Sequence, residues 1–245
     1  MYYFRGHRNT INARANISRQ NRLLLANIYA YISNYCFKIG AKKTKKRLSL
    51  RKSNIMANIG IFCSASDDLA PIYYEQAHKL GEWIGKNRHT IYYGGTHQGL
   101  MEAVASSVNA NGGTVIGVMP QFMYDNGLAS NCADRIIVTG DMVERKNTMM
   151  EKSDLFIALP GGFGTLDEIF HVVACGQVGI HKKPVFLLNM NNFYGHLISL
   201  AEIMREERFT PKMFQQGLIP VDNVDVCVSK IAEWLCTLAD TKIKK

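Results

Sequence analysis

The first 66 residues of this 245-residue chain contain no acid; Asp67 is the first. The same stretch is rich in bases, since residues 1–54 hold 13 of the 29 Lys and Arg. The formal net charge of +9 is therefore a property of the front of the chain. From residue 55 onward 16 bases face 20 acids, a balance of −4, which makes the folded part a poor candidate for a phosphate-backbone binder. No nucleic-acid partner is expected. Long apolar runs are missing as well. The most hydrophobic stretches, DLFIALP and PVFLLN, have strand length, far below the roughly 18 to 20 residues of a membrane helix. No membrane span is expected. The six cysteines, Cys36, Cys63, Cys132, Cys175, Cys227 and Cys236, form no C-x-x-C pair and have no matching histidines. They suit neither a disulfide framework nor a zinc site. Small buried hydrophobes in a reducing compartment are the simpler reading. The cytoplasm is expected, with organelle import through the basic leader as the alternative.

Residues 1–55 read as a leader in two parts, an Arg-spaced apolar segment and the basic cluster AKKTKKRLSLRK. Three readings stay open for it: a transit peptide, a surface for anionic lipid or nucleic acid, or sequence upstream of a start at Met56. The folded domain is set at residues 56–245.

Within that domain short β-rich runs alternate with helical patterns. Strands are predicted at 58–64, 89–94, 114–120, 134–140, 154–160, 184–189 and the short 218–223. Helices are predicted at 71–87, 100–113, 141–152, 166–181, 193–209 and 224–239, with 121–133 irregular. Nearly continuous Val, Ile, Leu and Phe in the strands implies burial on both faces, and the alternation implies right-handed crossovers. The expected fold is α/β, a doubly wound, Rossmann-like parallel sheet with helices on both faces in a single domain. Ligands of such sheets lie beyond the carboxyl ends of the strands.

Three loops at that edge are candidate phosphate cradles: CSASDD with Ser64, YGGTHQGLM with Gly94, Gly95 and Gly99, and PGGFGTLDE with Gly161, Gly162, Gly164 and Thr165. Glycine lets backbone N–H groups approach an anion, and the following helix adds its positive end. None of these loops carries the GxxxxGK[ST] of a nucleoside triphosphatase or an intact GxGxxG. In the last loop Thr165 and Glu168 have capping-box spacing, so Glu168 reads either as a structural cap or as a carboxylate at the mouth of the turn. In DMVERKNTMM a helix puts Met142, Arg145 and Met149 on one face. Arg145 then either pairs with a core carboxylate or points into the pocket towards phosphate or Glu168. Lys146 projects about 100° away from it.

These motifs resemble those of a known family. PGGFGTLDE is similar to the PGGxGTxxE signature of the LONELY GUY (LOG) proteins, the cytokinin riboside monophosphate phosphoribohydrolases also labelled lysine decarboxylases. MVERKNTMM resembles their MHxRKxxM motif, YYGGTHQGLM their YGGGxxGLMG, and ACGQVGIHKKPVFLLNMNNFYGHL their WxQLGIHxKPVxLLNxxGYY pattern. The similarity spans about residues 57–239. It implies a Rossmann-like homodimer that hydrolyses the N-glycosidic bond of a nucleoside 5'-monophosphate, adenosine or cytokinin type, to free base and ribose 5-phosphate. By the same resemblance Arg145 and Glu168 are catalytic, Lys146 accompanies Arg145, and the glycine turn with Thr165 binds phosphate. No metal or other cofactor is expected, and no lysine has the context of a pyridoxal Schiff base. Departures from the family pattern occur at Thr96, Glu102, Val143 and Cys175-Gly176, and the region 121–131 diverges. The competing class is a non-catalytic carrier of a phosphorylated cofactor of the molybdopterin type, for which the Arg145 and Glu168 pair has no evident use.

Overall fold

The structure, a computed structural model, describes residues 55–210 and 217–243. The leader expected over residues 1–55, apart from Ile55, and Cys36 with it, lies outside the described residues. Seven parallel strands form one sheet in the order β4-β3-β2-β1-β5-β6-β7. They are β1 Asn58–Phe62, β2 Thr90–Tyr93, β3 Thr114–Pro120, β4 Arg135–Thr139, β5 Leu155–Ala158, β6 Val185–Leu188 and β7 Leu218–Val221. The helices are α1 Pro71–Lys86, α2 Gly99–Ala110, α3 Gln121–Asp125, α4 Met142–Lys152, α5 Phe163–Gln177, α6 Gly195–Glu206 and α7 Val224–Ile243. The doubly wound parallel architecture is the expected one.

Side chains alternate across a strand, and the two cores follow that period. Ile59 and Ile61 of β1, with Leu155 and Ile157 of β5, face a core completed by Leu80 and Ile84 of α1, Val104 and Val108 of α2, and Ile231 of α7. Phe62 of β1, with Phe156 and Ala158 of β5, faces the opposite core, closed by Met149 of α4, Ile169 and Val172 of α5, and Tyr194 ahead of α6. Phe62 and Phe156 stack with centroids 5.4 Å apart. The central strands are buried on both faces, as their apolar runs require.

Element ends differ from expectation where local chemistry decides them. Helix α5 starts at Phe163 rather than Leu166 and stops at Gln177 rather than His181. Its stop has a physical cause. Gly179 takes φ +86°, Gly179 N–H donates to Gly176 O, and Ile180 N–H donates to Cys175 O at 3.0 Å. This pairing closes the last turn in the Schellman manner. Helix α4 starts where predicted, because the Asp141 carboxylate accepts from the N–H groups of Val143 and Glu144, both at 2.8 Å. The segment expected to be irregular contains the short helix α3, which begins directly after Pro120.

Strand order places the site. The chain winds outward from β1 through β2, β3 and β4, then returns to pair β5 on the other side of β1. The reversal lies between β1 and β5, and a crevice forms at the carboxyl ends of strands at such a point. Because β2, β1 and β5 are neighbours, the three candidate loops, two of them rich in glycine, emerge side by side.

Candidate active site

The loops after β1 and β2 are stitched together by backbone. Ser64 O accepts from Leu100 N at 3.0 Å, and the Asp67 carboxylate accepts from Gly99 N at 2.7 Å. Gly99 has φ +55°, and a Cβ there would stand 2.5 Å from Ser66 O, so the close approach of these loops requires glycine. Ser64 N also donates to Pro160 O at 3.2 Å, which ties the first loop to the turn after β5. At Gly161 a Cβ would meet Thr165 Oγ1 at 2.1 Å. The turn therefore folds directly against the buried Thr165. At Gly162 and Gly164 an added Cβ would meet nothing within 4 Å, so these positions border open space at the mouth. Tyr194, 2 % exposed, braces the site from behind by donating its hydroxyl to Leu159 O at 2.6 Å.

Gly162 occupies the N-cap position of α5, and no side chain caps the helix. The capping-box alternative for Thr165 and Glu168 is thereby corrected: with the helix starting at Phe163, Thr165 already lies inside the first turn. The first N–H groups of a helix have no intrahelical acceptor, so the amino end of α5 presents donors and a positive dipole end to the crevice. Thr165, Glu168, Ile169 and Val172 share the buried face of α5. Glu168 is therefore turned inwards, at 4 % exposure.

Arg145 meets it there. Arg145 lies on the buried face of α4 with Met149, whereas Met142 of the same predicted stripe is exposed. Its Nε donates to Val118 O at 3.0 Å, and its Nη1 donates to Glu168 Oε1 at 2.6 Å. The guanidinium passes over the end of β2, where a Cβ on Gly94 would stand 2.7 Å from Nη2. Glycine at 94 leaves the space that the arginine fills. Burial pushes the Glu168 carboxyl above the ordinary glutamate value, while Arg145 pulls it the other way. Burial also pushes the neighbouring Cys63 thiol up, against its thiolate form.

The other predicted positions divide. Lys146 Nζ donates to both carboxylate oxygens of Asp167, at 2.8 and 2.9 Å, beside the inner pair. Gly95, with φ +82°, packs over β3 against Gly117 and Met119, and its carbonyl accepts from Ser130 N at 2.8 Å. Gly95 thus shapes the loop from behind. Four participants escaped the sequence reading: Asp67, Glu102, Asp167 and Tyr194. Asp67 and Asp167 stood inside the quoted motifs, and their position beside a glycine loop and beside Glu168 was the available signal. Glu102, where the family pattern has glycine, accepts from Ser130 Oγ at 2.5 Å and so pins the divergent loop after α3 to α2. Nothing local in the sequence joins residues 102 and 130.

Fold and site together define an α/β protein of the Rossmann-like class, with a glycine turn opening a helix and a sealed Arg–Glu pair at the switch point of its sheet. The family described as "Possible lysine decarboxylase" matches residues 101–231. The cytokinin riboside 5'-monophosphate phosphoribohydrolase LOG7 of Arabidopsis thaliana is 34% identical over 176 residues, 72% of this chain and 81% of that protein. LOG3 of the same plant is 34% identical over 186 residues, 76% of this chain and 86% of that protein. The chain belongs to this family, the LONELY GUY proteins. Among solved structures, the molybdenum cofactor carrier protein of Chlamydomonas reinhardtii shares the fold with a TM-score of 0.58 and 22% identity, covering 75% of this chain and 99% of that one.

Proposed function

We propose that residues 56–245 form a hydrolase domain that cleaves the N-glycosidic bond of a purine nucleoside 5'-monophosphate, yielding free base and ribose 5-phosphate. The observation that carries this reading is the buried 2.6 Å contact between Arg145 and Glu168 at the mouth of the PGGFGT turn. Family relatives named as cytokinin riboside 5'-monophosphate phosphoribohydrolases support it. The 5'-phosphate is taken at the amino end of α5, by the N–H groups that open the helix and by Lys146. Phosphate binding remote from the reacting bond then fixes the position of the anomeric carbon.

As the glycosidic bond breaks, positive charge develops on the sugar. Glu168, held in a water-poor surrounding, stabilises that charge and directs a water to the anomeric carbon. Water's oxygen bonds to carbon, the bonding pair leaves with the base, and the proton released from water passes to the base nitrogen, so the step balances as hydrolysis. Arg145 keeps Glu168 ionised and oriented. The exposed Phe163, Phe170, Val178 and Ile180 on and after α5 support a homodimer that covers this face. Adenosine monophosphate and its isopentenyl derivative are the substrates proposed.

The test is incubation of the protein with both monophosphates, with chromatography of the free base and enzymatic assay of ribose 5-phosphate. Release of base in step with ribose 5-phosphate supports hydrolysis. Saturable binding without release turns the reading to a carrier of phosphorylated ligands.

A further inference from the structure

Helices α4 and α5 carry two ion pairs side by side, built from adjacent residues on each helix. Arg145 and Glu168 form the inner pair, with side chains 6% and 5% exposed. Lys146 and Asp167 form the outer pair, with side chains 15% and 54% exposed. Consecutive helical residues diverge by about 100°, which turns one pair into the core and leaves the other at the rim. The four charges sum to zero. These four charges therefore offer a phosphate dianion no net attraction, and of their two cations the one outside the sealed pair already holds a carboxylate.

We propose that Asp167 is a positioning residue that occupies Lys146 in the empty site and yields it to the 5'-phosphate, thereby setting the affinity for substrate and for ribose 5-phosphate. The proposal rests on the phosphate position of the hydrolase reading. Asp167 stands five residues past the Gly162 cap, roughly 7 Å along the helix axis, a span that a lysine stem covers. Two donors of the Lys146 ammonium are engaged by Asp167, and both contacts must be exchanged for the amine to serve a phosphate. The exchange is cheap on the Asp167 side. That carboxylate is already more than half exposed, so water takes over its hydrogen bonds with little change in solvation. The inner pair has no such freedom, because separating it strands a charge in the core. Asp167 therefore weakens phosphate binding uniformly in the ground and transition states, and its effect falls on KM rather than kcat.

The experiment uses the full chain and the variants D167N, D167E, K146M, D167N/K146M and E151Q. Binding of ribose 5-phosphate and inorganic phosphate is measured by calorimetry, and KM and kcat with adenosine monophosphate. D167N is expected to tighten ribose 5-phosphate by about two- to five-fold, the range of an exposed ion pair, and to lower KM by the same factor. D167E keeps wild-type values. K146M weakens binding, and D167N adds nothing in its background. E151Q removes an exposed charge elsewhere and leaves affinity unchanged. Unchanged affinity in D167N overturns the proposal, as does an equal gain in E151Q or a gain that persists without Lys146. Wild-type protein that binds ribose 5-phosphate but releases no base overturns the hydrolase reading alone, and the D167N comparison still decides this one.

Discussion

Glu168→Gln separates charge from shape at the centre of the site. The amide has the size of the carboxyl, so the buried face of α5 keeps its volume and no cavity forms. What changes is the partner of Arg145, whose Nη1 donates at 2.6 Å to an oxygen that loses its negative charge. Breaking a buried pair outright costs about 3–5 kcal/mol. The glutamine oxygen still accepts from Nη1, and Val118 O still accepts from Nε, so the loss is smaller than that range. A domain of this size holds about 5–15 kcal/mol, so the variant folds with a lowered Tm. Turnover is another matter. With the carboxylate gone, neither the sugar's developing charge nor the attacking water has its partner, and kcat falls about 10²- to 10⁴-fold. The assay is base release from adenosine monophosphate, run beside a thermal melt and ribose 5-phosphate binding. A variant that folds, binds, and turns over within about threefold of wild type refutes the role given to Glu168.

Three further outcomes follow from the same geometry. Burial holds Glu168 above the ordinary value of 4.5. Between 4.5 and that raised value the folded state keeps a proton that the unfolded chain releases, so this group's contribution to stability falls as pH rises through the window. The ionised carboxylate is present only above it, so the acid limb of kcat/KM has its midpoint above pH 4.5; a midpoint at or below 4.5 contradicts the stated environment. Gly161→Ala drives a methyl into Thr165 Oγ1, and the turn must shift at a cost of about 1–3 kcal/mol, with a loss of ribose 5-phosphate affinity that calorimetry reads. Asp67→Ala removes the acceptor of Gly99 N–H, costs about 1–3 kcal/mol, and lowers Tm; a melt equal to wild type shows that water replaces the carboxylate there.

The alternation of apolar strands and helical stripes made the sheet legible, and it placed all seven strands in the correct order along the chain. Their order in space was not written locally. That β5 returns beside β1 follows from packing of the whole sheet, and it is this return that brings PGGFGT next to CSASDD. Arg145 and Glu168 were legible one at a time, since a guanidinium on an apolar stripe needs a partner. Their contact joins residues 23 apart in sequence through two crossover elements. The capping-box spacing pointed to a wrong helix start, because local spacing does not tell whether Gly162 or Thr165 bears the N-cap geometry. Asp167 was hidden by its neighbour: the same two letters, DE, put one carboxylate in the core and one at the rim.

The sealed pair also bears on what separates a hydrolase from a carrier on this fold. Replacing a buried ion pair by apolar residues of similar size is often neutral or stabilising. Stability alone therefore gives no reason to keep Arg145 and Glu168 at about 5% exposure. A carrier needs the turn, the helix end and Lys146, the groups that the proposal assigns to the phosphate. It gains nothing from a carboxylate whose charge opposes the ligand it holds. In the proposed hydrolysis Glu168 becomes an asset when positive charge develops on the sugar, a moment that exists in bond cleavage and not in binding. That proposal makes the site tuned against its ground state, and Arg145→Met tests the tuning. Without the guanidinium, Glu168 loses the charge and the hydrogen bond of Arg145, which favour its ionised form ahead of Lys146, so the acid limb of any residual kcat/KM moves to higher pH than in wild type. An unmoved limb means that Arg145 holds phosphate rather than Glu168.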